Sequence, residues 1–341
     1  MKALVLEERG AAGLDLRDFP DPTPAPGEAV MRVAAASINR VDLYMRDDGR
    51  GIRHALPMVL GVDGAGEIVE APAGSGLRPG QPVVLYPAGF CGRCRFCLAG
   101  DQPLCEQVAY SGEHRHGTFA EYVAMPAACF LPLPEGVDPL AAATLPVAYL
   151  TAWRMLFGKQ ALGAGETVLI MGVGGGVGAA CLQLARLTGA RALVTSSSAE
   201  KLAKAAELGA EAGIDYRREP VAKRVLELTG GQGVDLVIDN VGEVSWGDSL
   251  RAVRRGGRIV TCGATTGDQP PADLRRLFIR QIAIFGSTLG SVEEFRRLLA
   301  VVAAGDLAPV IDQVRPLAAF REAFGRVESG SQFGKVVLRV P

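Results

Sequence analysis

Residues 166–187, ETVLIMGVGGGVGAACLQLARL, decide how this chain folds. The apolar run from Glu166 to Met171 has the length of a buried strand, and a glycine-rich turn joins it to an apolar helix at Gly176 to Leu187. This order of strand, turn and helix lets a pyrophosphate rest on backbone N–H groups at the helix N-terminus. We therefore predict that a dinucleotide binds at Gly172, Gly175, Gly176, Val177 and Gly178.

The segments after this turn repeat the same alternation. Short strand-like runs end at Thr195, Asp239, Cys262 and Ser287, with helix-like stretches between them. This repetition predicts an α/β domain with a doubly wound parallel sheet from about residue 149. A turn that only packs a helix on a strand, without a ligand, is the alternative, and the further strands argue against it. Residues 1–148 have many prolines, glycines and short alternating runs, which indicates a β-rich domain.

The end of the second strand of the α/β half indicates which dinucleotide binds. An Asp or Glu at that place bonds the ribose 2′-OH of NAD and repels a 2′-phosphate. This chain has Ser196, Ser197 and Ser198 instead, and Lys201 follows about one turn later. Because hydroxyls and an ammonium bind phosphate, we predict NADP(H). A helix N-cap role accounts for one of the serines but not for the missing acid.

Four cysteines, Cys91, Cys94, Cys97 and Cys105, lie close together in the first half of the chain. Their number and spacing are typical of a closed tetrahedral thiolate site, so we predict one structural Zn²⁺ in a lobe at about residues 88–108. An iron–sulfur cluster is the main rival, but its usual cysteine run ends with a shorter gap and a proline. The remaining cysteines stand alone in apolar settings, which is typical of core residues.

Length, charge and cysteine content narrow the class of protein. A chain of 341 residues exceeds one ordinary core, which predicts two domains. The formal net charge of −1, without a long basic run, excludes nucleic acid and anionic membranes as expected partners and favours a small-molecule substrate. Clustered cysteines favour a reducing compartment, and the apolar stretch in MKALVLEERG is too short for a signal peptide. We therefore expect a cytoplasmic protein.

A cysteine lobe followed by a glycine turn resembles the medium-chain dehydrogenase/reductase superfamily over essentially the whole chain. Further stretches resemble landmarks of that family, namely SINRVDLYMR (37–46), LGVDGAG (60–66), GTFAEYV (117–123), LTAW (150–153) and GKVVL (334–338). The resemblance implies a Rossmann domain at residues 149–284. It also implies a GroES-like catalytic domain at residues 1–148, to which residues 285–341 return.

The glycine turn resembles the A-x-x-G-x-V-G form of the quinone reductase branch of that superfamily. The zinc alcohol dehydrogenase branch differs, because a cysteine, a histidine and a second cysteine hold a catalytic zinc. This chain has Asn39, Val62 and Val147 at those positions, whereas Asp63 keeps the acid position. Amide and valine side chains do not replace thiolate and imidazole ligands, so we expect no catalytic zinc.

This resemblance implies a NADPH-dependent oxidoreductase that transfers hydride to a quinone or an α,β-unsaturated carbonyl. In the stretch that resembles the N-x-x-D-x-Y of quinone reductases, Tyr44 is the first candidate for the donor to the developing oxyanion. Asn39 can also donate, and Asp42 either orients it or only braces the loop. The alternatives are a zinc-family alcohol dehydrogenase or carbonyl reductase, and a NADPH-binding protein without turnover.

The resemblance also extends the predicted cofactor contacts. Arg40 is expected to reach the pyrophosphate, and the other expected contacts are Thr151, Tyr216, Asn240, Gly263, Phe285 and Lys335. The segment Gln281 to Thr288, QIAIFGST, has the pattern of an apolar edge strand of the Rossmann sheet. An exposed apolar edge favours aggregation unless a second strand pairs with it, so we expect a homodimer or homotetramer.

Overall fold

The computed structural model describes residues 1–51, 54–158 and 160–341. The strands in chain order are β1 (Lys2–Leu6), β2 (Leu14–Asp18), β3 (Glu28–Ile38), β4 (Met58–Val59), β5 (Asp63–Glu70), β6 (Pro82–Leu85), β7 (Ala88–Gly89), β8 (Ala109–Tyr110), β9 (Tyr122–Pro126), β10 (Phe130–Pro132), β11 (Thr167–Ile170), β12 (Arg191–Ser196), β13 (Ala212–Asp215), β14 (Val234–Asp239), β15 (Val253–Thr261), β16 (Ala283–Gly286), β17 (Ile311–Pro316) and β18 (Lys335–Arg339).

The helices in chain order are α1 (Arg40–Asp47), α2 (Arg95–Leu98), α3 (Pro139–Ala142), α4 (Leu150–Trp153), α5 (Gly176–Leu187), α6 (Ala199–Glu207), α7 (Val221–Leu228), α8 (Glu243–Ala252), α9 (Leu274–Arg280), α10 (Val292–Ala303) and α11 (Phe320–Glu328). The chain divides into two compact units. The β-rich unit comprises residues 1–150 and 290–341, and the α/β unit comprises residues 151–289. The sequence analysis placed the corresponding boundaries after residues 148 and 284.

The α/β unit is built on a six-stranded parallel sheet in the order β13-β12-β11-β14-β15-β16. Its core contains one fully buried residue from each of the strands β11 to β15, namely Leu169, Leu193, Ile214, Val237 and Ile259. Strands covered on both faces carry such apolar runs. The strand order reverses between β11 and β14, which is where ligands bind in sheets of this kind.

The β-rich unit holds a seven-stranded sheet, in which β10-β6-β5-β3-β18-β17 follow one another and β9 also pairs with β3. Strand β18, from the C-terminal tail, pairs antiparallel with β3. The tail helix α10 begins with a capping box, in which Ser291 Oγ accepts from the Glu294 N–H and Glu294 Oε2 accepts from the Ser291 N–H. The tail therefore completes the sheet begun by the first half of the chain.

The apolar stretch Val168 to Ala185 is divided between β11, the glycine turn and α5. Across the described ranges, no helix combines the length and the apolar character that crossing a bilayer requires.

Candidate functional site

The four-cysteine lobe gathers its thiols around one point. Cys94 precedes α2, Cys97 lies within it, and Cys105 follows a short 3-10 turn at Gln102–Leu104. All four Sγ atoms lie within 4.8 Å of one another, and Cys91 Sγ is 3.9 Å from Cys97 Sγ. Tetrahedral Zn–S bonds of about 2.3 Å place sulfur atoms about 3.8 Å apart, so the set fits one zinc ion.

Backbone N–H groups point at these sulfur atoms. The N–H groups of Cys91 and Cys94 lie 3.3 Å from Cys105 Sγ and Cys91 Sγ, respectively. Hydrogen bonds from the backbone of Cys97 and Glu106 lower the pKa of Cys94 to about 6. Such donors stabilise the thiolate, which is the form that binds metal. The lobe is therefore arranged to coordinate a cation.

The glycine turn follows β11 at the carboxyl edge of the parallel sheet. Gly172 has φ 76°, in the left-handed region, and its N–H donates to Thr195 Oγ1 at 3.0 Å. A Cβ on Gly178 would lie 2.4 Å from the Gly172 carbonyl oxygen, so only glycine lets α5 pack this closely. The first N–H groups of α5 have no partners within the helix. This geometry fits a pyrophosphate.

Strand β12 ends at Ser196, without an acid at its tip. Ser196 is buried, and its Oγ accepts from the Ser198 N–H at 3.2 Å. Ser198 also caps α6, since its Oγ accepts from the Lys201 N–H at 3.3 Å. The Lys201 side chain lies against the glycine turn. Its Nζ is close enough to Gly174 that a Cβ added there would lie 3.0 Å from it. The serines and the ammonium therefore lie beside the predicted pyrophosphate site, and exposed Tyr216 follows the neighbouring strand β13.

Two further predicted cofactor residues lie near the glycine turn. A Cβ on Gly172 would lie 3.8 Å from Asn240 Oδ1, and a Cβ on Gly263 would lie 3.2 Å from the Asn240 carbonyl oxygen. Thr151 is buried at the start of the α/β unit, and Phe285 lies in β16. Ser197 is half-buried beside Ser196, as expected for a strand tip.

The sequence analysis placed Asp239 at the end of a strand but did not predict its role, which is to shape the loop after β14. Its carboxylate is fully buried and accepts from the N–H groups of Val241 and Gly242 at 2.9 and 3.1 Å. Ser249 Oγ donates to the same carboxylate at 2.6 Å. Asp239 therefore fixes the loop that carries Asn240. An acid at the end of a buried strand was the available signal.

A polar cluster in the β-rich unit arises from strand register. Strand β3 pairs with β5 so that Ser37 lies opposite Asp63. It also pairs with β18 so that Ile38 lies opposite the second residue of that strand. The first residue of β18, Lys335, therefore lies beside Asn39, where β3 passes into α1. The register brings together three segments that are distant in sequence.

Lys335 and Asp63 form a buried ion pair at the centre of this cluster. Lys335 Nζ is 3.0 Å from Asp63 Oδ2, and the two side chains are 2% and 0% exposed. Lys335 Nζ also donates to the Ile38 carbonyl oxygen at 3.1 Å and to Asn39 Oδ1, which uses all three of its protons. The sequence analysis predicted that Lys335 contacts the cofactor. Its three N–H donors are instead engaged by oxygen atoms of the β-rich unit.

The other groups around Asp63 close the cluster. Ser37 Oγ donates to Asp63 Oδ2 at 2.6 Å, and the Val147 N–H donates to Oδ1 at 2.8 Å. Asn39 Nδ2 donates to Asp63 Oδ2 at 2.8 Å and to the Ser37 carbonyl oxygen at 3.3 Å. The predicted donor role of Asn39 therefore gives way to a structural one, because both of its amide protons are engaged here. Ser37 is a member of the cluster that the sequence did not single out.

Asp42 lies next to this cluster, in the first turn of α1. Its Oδ2 accepts from the Asn39 backbone N–H at 2.7 Å, so it caps the helix and does not orient the Asn39 amide as predicted. Its buried Oδ1 has no hydrogen-bond partner among the described residues. Burial raises the pKa of Asp42 to about 8, and the nearby Asp63 carboxylate acts in the same direction. Asp42 is therefore largely protonated at neutral pH.

Tyr44 follows on α1 and is half-buried. The guanidinium carbon of Arg50 lies 4.1 Å from the centre of its ring, which is within the range of a cation–π contact. Arg40, the first residue of α1, is also half-buried. The helix thus carries both residues from a start that Asn39 and Asp42 hold in place.

The parallel sheet with its glycine turn, together with the cysteine lobe of the β-rich unit, defines a dehydrogenase-type oxidoreductase. The profile of the zinc-binding dehydrogenase family matches residues 176–304, and that of the alcohol dehydrogenase GroES-like domain matches residues 25–135. The chain belongs to the medium-chain dehydrogenase/reductase superfamily. The predicted fold class and family are confirmed.

Similar proteins match the chain over nearly its whole length. A zinc-type alcohol dehydrogenase-like protein of Schizosaccharomyces pombe is 34% identical over 325 residues, which cover 92% of this chain and 91% of the relative. A solved structure of a NAD-dependent alcohol dehydrogenase has a TM-score of 0.95 at 40% identity and covers 100% of both chains. A thermostable alcohol dehydrogenase from Pyrobaculum aerophilum has a TM-score of 0.89 at 32% identity, with 99% of each chain covered.

Proposed function

We propose that this chain is a NADPH-dependent oxidoreductase that reduces a quinone or an α,β-unsaturated carbonyl without a catalytic zinc. The observation that carries the proposal is the Lys335–Asp63 pair. Both members of the pair are hydrogen-bonded to Asn39, which stands at one of the catalytic-zinc ligand positions of the alcohol dehydrogenase branch, and the chain keeps a full dinucleotide turn. Chemistry of this class needs positioning and an oxyanion donor, and no metal.

The cofactor would lie along the carboxyl edge of the parallel sheet. Its pyrophosphate would contact the N–H groups of the glycine turn and the first turn of α5. Ser196, Ser197 and Lys201 would bind the 2′-phosphate, with Tyr216 alongside. When bound, the reduced nicotinamide supplies the hydride. Further proposed contacts are Arg40, Thr151, Asn240, Gly263 and Phe285, and one structural zinc would be held by Cys91, Cys94, Cys97 and Cys105.

The Tyr44 hydroxyl is the proposed donor to the substrate oxygen. It lies on a short helix whose start is hydrogen-bonded on both sides, and Arg50 stacks on its ring. A donor held in this way costs little reorganisation when negative charge develops on the substrate. Asp42 and Asn39 contribute by holding the helix start.

An alcohol dehydrogenase is the second candidate, because relatives and solved neighbours bear that name. A screen of acceptors separates the two. With NADPH, quinones and enones should be reduced, whereas primary and secondary alcohols with NADP⁺ should give no comparable turnover. Elemental analysis should find about one zinc per chain, in a colourless protein. Two zincs with alcohol oxidation would support the second candidate, and tight NADPH binding without turnover would indicate a binding protein.

Cofactor preference is the sharpest test of the nucleotide site. NADPH should bind roughly tenfold to a hundredfold more tightly than NADH, because charge-assisted hydrogen bonds to the 2′-phosphate contribute about 1–3 kcal/mol. Ser196→Asp should reverse that order, and Lys201→Ala should weaken NADPH while leaving NADH almost unchanged. Fluorescence titration of both reduced cofactors measures these affinities.

Lys204→Ala is the matched control, because Lys204 lies on the same helix and pairs with Glu200. It should change neither affinity. A Ser196→Asp protein that still prefers NADPH would place the phosphate elsewhere, for example at Arg217 or Arg218.

The edge strand of the parallel sheet is the proposed contact between two copies of the chain. Strand β16 is its last strand, Ile284 in it is 38% exposed, and Phe278 on the preceding helix is 70% exposed. We propose that a second copy pairs along this edge, giving a homodimer or homotetramer. Ile284→Lys should reduce the mass found by light scattering, whereas Val314→Lys, at an equally exposed position of the β-rich unit, should not. A wild-type monomer at all concentrations would refute the pairing.

A further inference from the structure

The Lys335 ammonium supplies positive charge to the buried cluster around Asp63. A buried lysine is costly unless it is paired and hydrogen-bonded, and here every proton has an oxygen partner. Its three partners come from the end of β3, the start of α1 and the start of β5. Lys335 therefore joins the C-terminal strand to the point where α1 begins.

A zinc ion does not fit this cluster. Asn39 and Val62 offer neither thiolate nor imidazole, and Val147 presents a backbone N–H to Asp63, which is a donor and not a ligand. Both oxygens of Asp63 already accept hydrogen bonds. The cluster satisfies its charges without a metal, so its positive charge is part of the chain itself.

We propose that Lys335 is a positioning residue, whose ammonium is the fixed cation that holds Asp63 and Asn39, and with them the start of α1. The proposal rests on the proposed function in one respect, that Tyr44 on α1 is the oxyanion donor. Tyr44 lies about one helical turn beyond Arg40. A small displacement of the helix start therefore moves the Tyr44 hydroxyl away from the substrate oxygen. Misplacing a catalytic group by about 1 Å lowers the reaction rate by about a hundredfold.

The test compares Lys335→Ala with Lys335→Met. Both remove the charge, but Ala leaves a space lined by oxygen atoms, whereas Met fills much of it. We expect each variant to lower kcat at least about tenfold, while KM for NADPH changes less than about threefold. Propylammonium, which replaces the atoms deleted in Lys335→Ala, should restore kcat of that variant in a saturable way and should leave Lys335→Met unchanged. Zinc content should stay at the wild-type value in both.

A second readout does not need activity. Hydrogen exchange of the α1 amides should become at least about tenfold faster in Lys335→Met, whereas exchange of α5 in the α/β unit should not change. Unchanged α1 exchange would overturn the positioning role whether or not the enzyme turns over. A raised KM for NADPH with unchanged kcat would overturn it too and assign Lys335 to the cofactor. Absence of turnover in the wild type, with faster α1 exchange in the variant, would count against the proposed reaction alone.

Discussion

The four-cysteine lobe and the Lys335–Asp63 cluster lie in the same β-rich unit but manage charge in opposite ways. In the lobe, four thiols lie within 4.8 Å of one another, and backbone N–H groups donate to the sulfur atoms of Cys91 and Cys105. In the cluster, one carboxylate is neutralised by an ammonium of the same chain. The lobe presents four thiols that suit a metal ion, whereas the cluster pairs its carboxylate with a cation of the same chain. The difference follows from the side chains present, four thiols in the lobe and a lysine with a carboxylate in the cluster.

The largest expected effect comes from breaking the lobe. Cys94→Ser removes one thiolate of a closed set, and metal binding at such sites contributes on the order of 10 kcal/mol in small zinc domains. We expect zinc to fall from about one per chain to nearly none, with a clear loss of thermal stability. Elemental analysis and thermal unfolding measure both. Cys129→Ser, at a buried cysteine outside the set, should keep its zinc, and a zinc-loaded Cys94→Ser protein would contradict the assignment.

Breaking the cluster should have the next largest effect. Asp63→Asn leaves the Lys335 ammonium buried without its carboxylate, and such losses cost about 3–5 kcal/mol of the free energy of unfolding. Urea unfolding at neutral pH measures the change. Asp18→Asn serves as the control, since Asp18 pairs with Lys2 at the surface and should contribute less than about 1 kcal/mol. If both variants lost the same free energy of unfolding, the buried pair would stabilise the protein no more than the surface pair does.

The third effect concerns Asp42 and appears only as a pH dependence, spread over several pH units. Its folded pKa of about 8 lies above the ordinary 3.8, so the folded state binds this proton more tightly than the unfolded state. The stabilisation is complete below about pH 4 and is lost as the pH rises through 8. Asp42→Asn keeps an acceptor for the Asn39 N–H but cannot ionise. The wild type should lose up to about 1.4 kcal/mol per pH unit relative to this variant between pH 5 and 8.

Unfolding measured at several pH values in that range tests this difference in slope. Asp15→Asn is the control, because hydrogen bonding to Arg321 lowers the pKa of exposed Asp15, so that group titrates below the range. It should keep the wild-type slope. An Asp42→Asn protein with that slope as well would show that Asp42 is ionised throughout.

The sequence predicted local elements of the chain well. The glycine turn lies within 22 residues and the cysteine lobe within 15, so spacing alone was enough to find both. Helix α5 has the predicted bounds Gly176–Leu187, and β14 ends at the predicted Asp239. These features depend on neighbours in the chain, whose geometry follows from the periods of helices and strands.

The sequence by itself determined the superfamily and the cysteine set. It also determined that thiolate and imidazole are lacking at the positions that hold a catalytic zinc in the alcohol dehydrogenase branch. It left the hydrogen bonds of Asn39, Asp42 and Lys335 undecided, and their predicted roles changed once those bonds were known. Asn39, Asp63 and Lys335 are separated by 24 and 272 residues. Only the antiparallel register of β3 with β5 and β18 brings them together, because a shift of one residue would turn each side chain to the opposite face of the sheet.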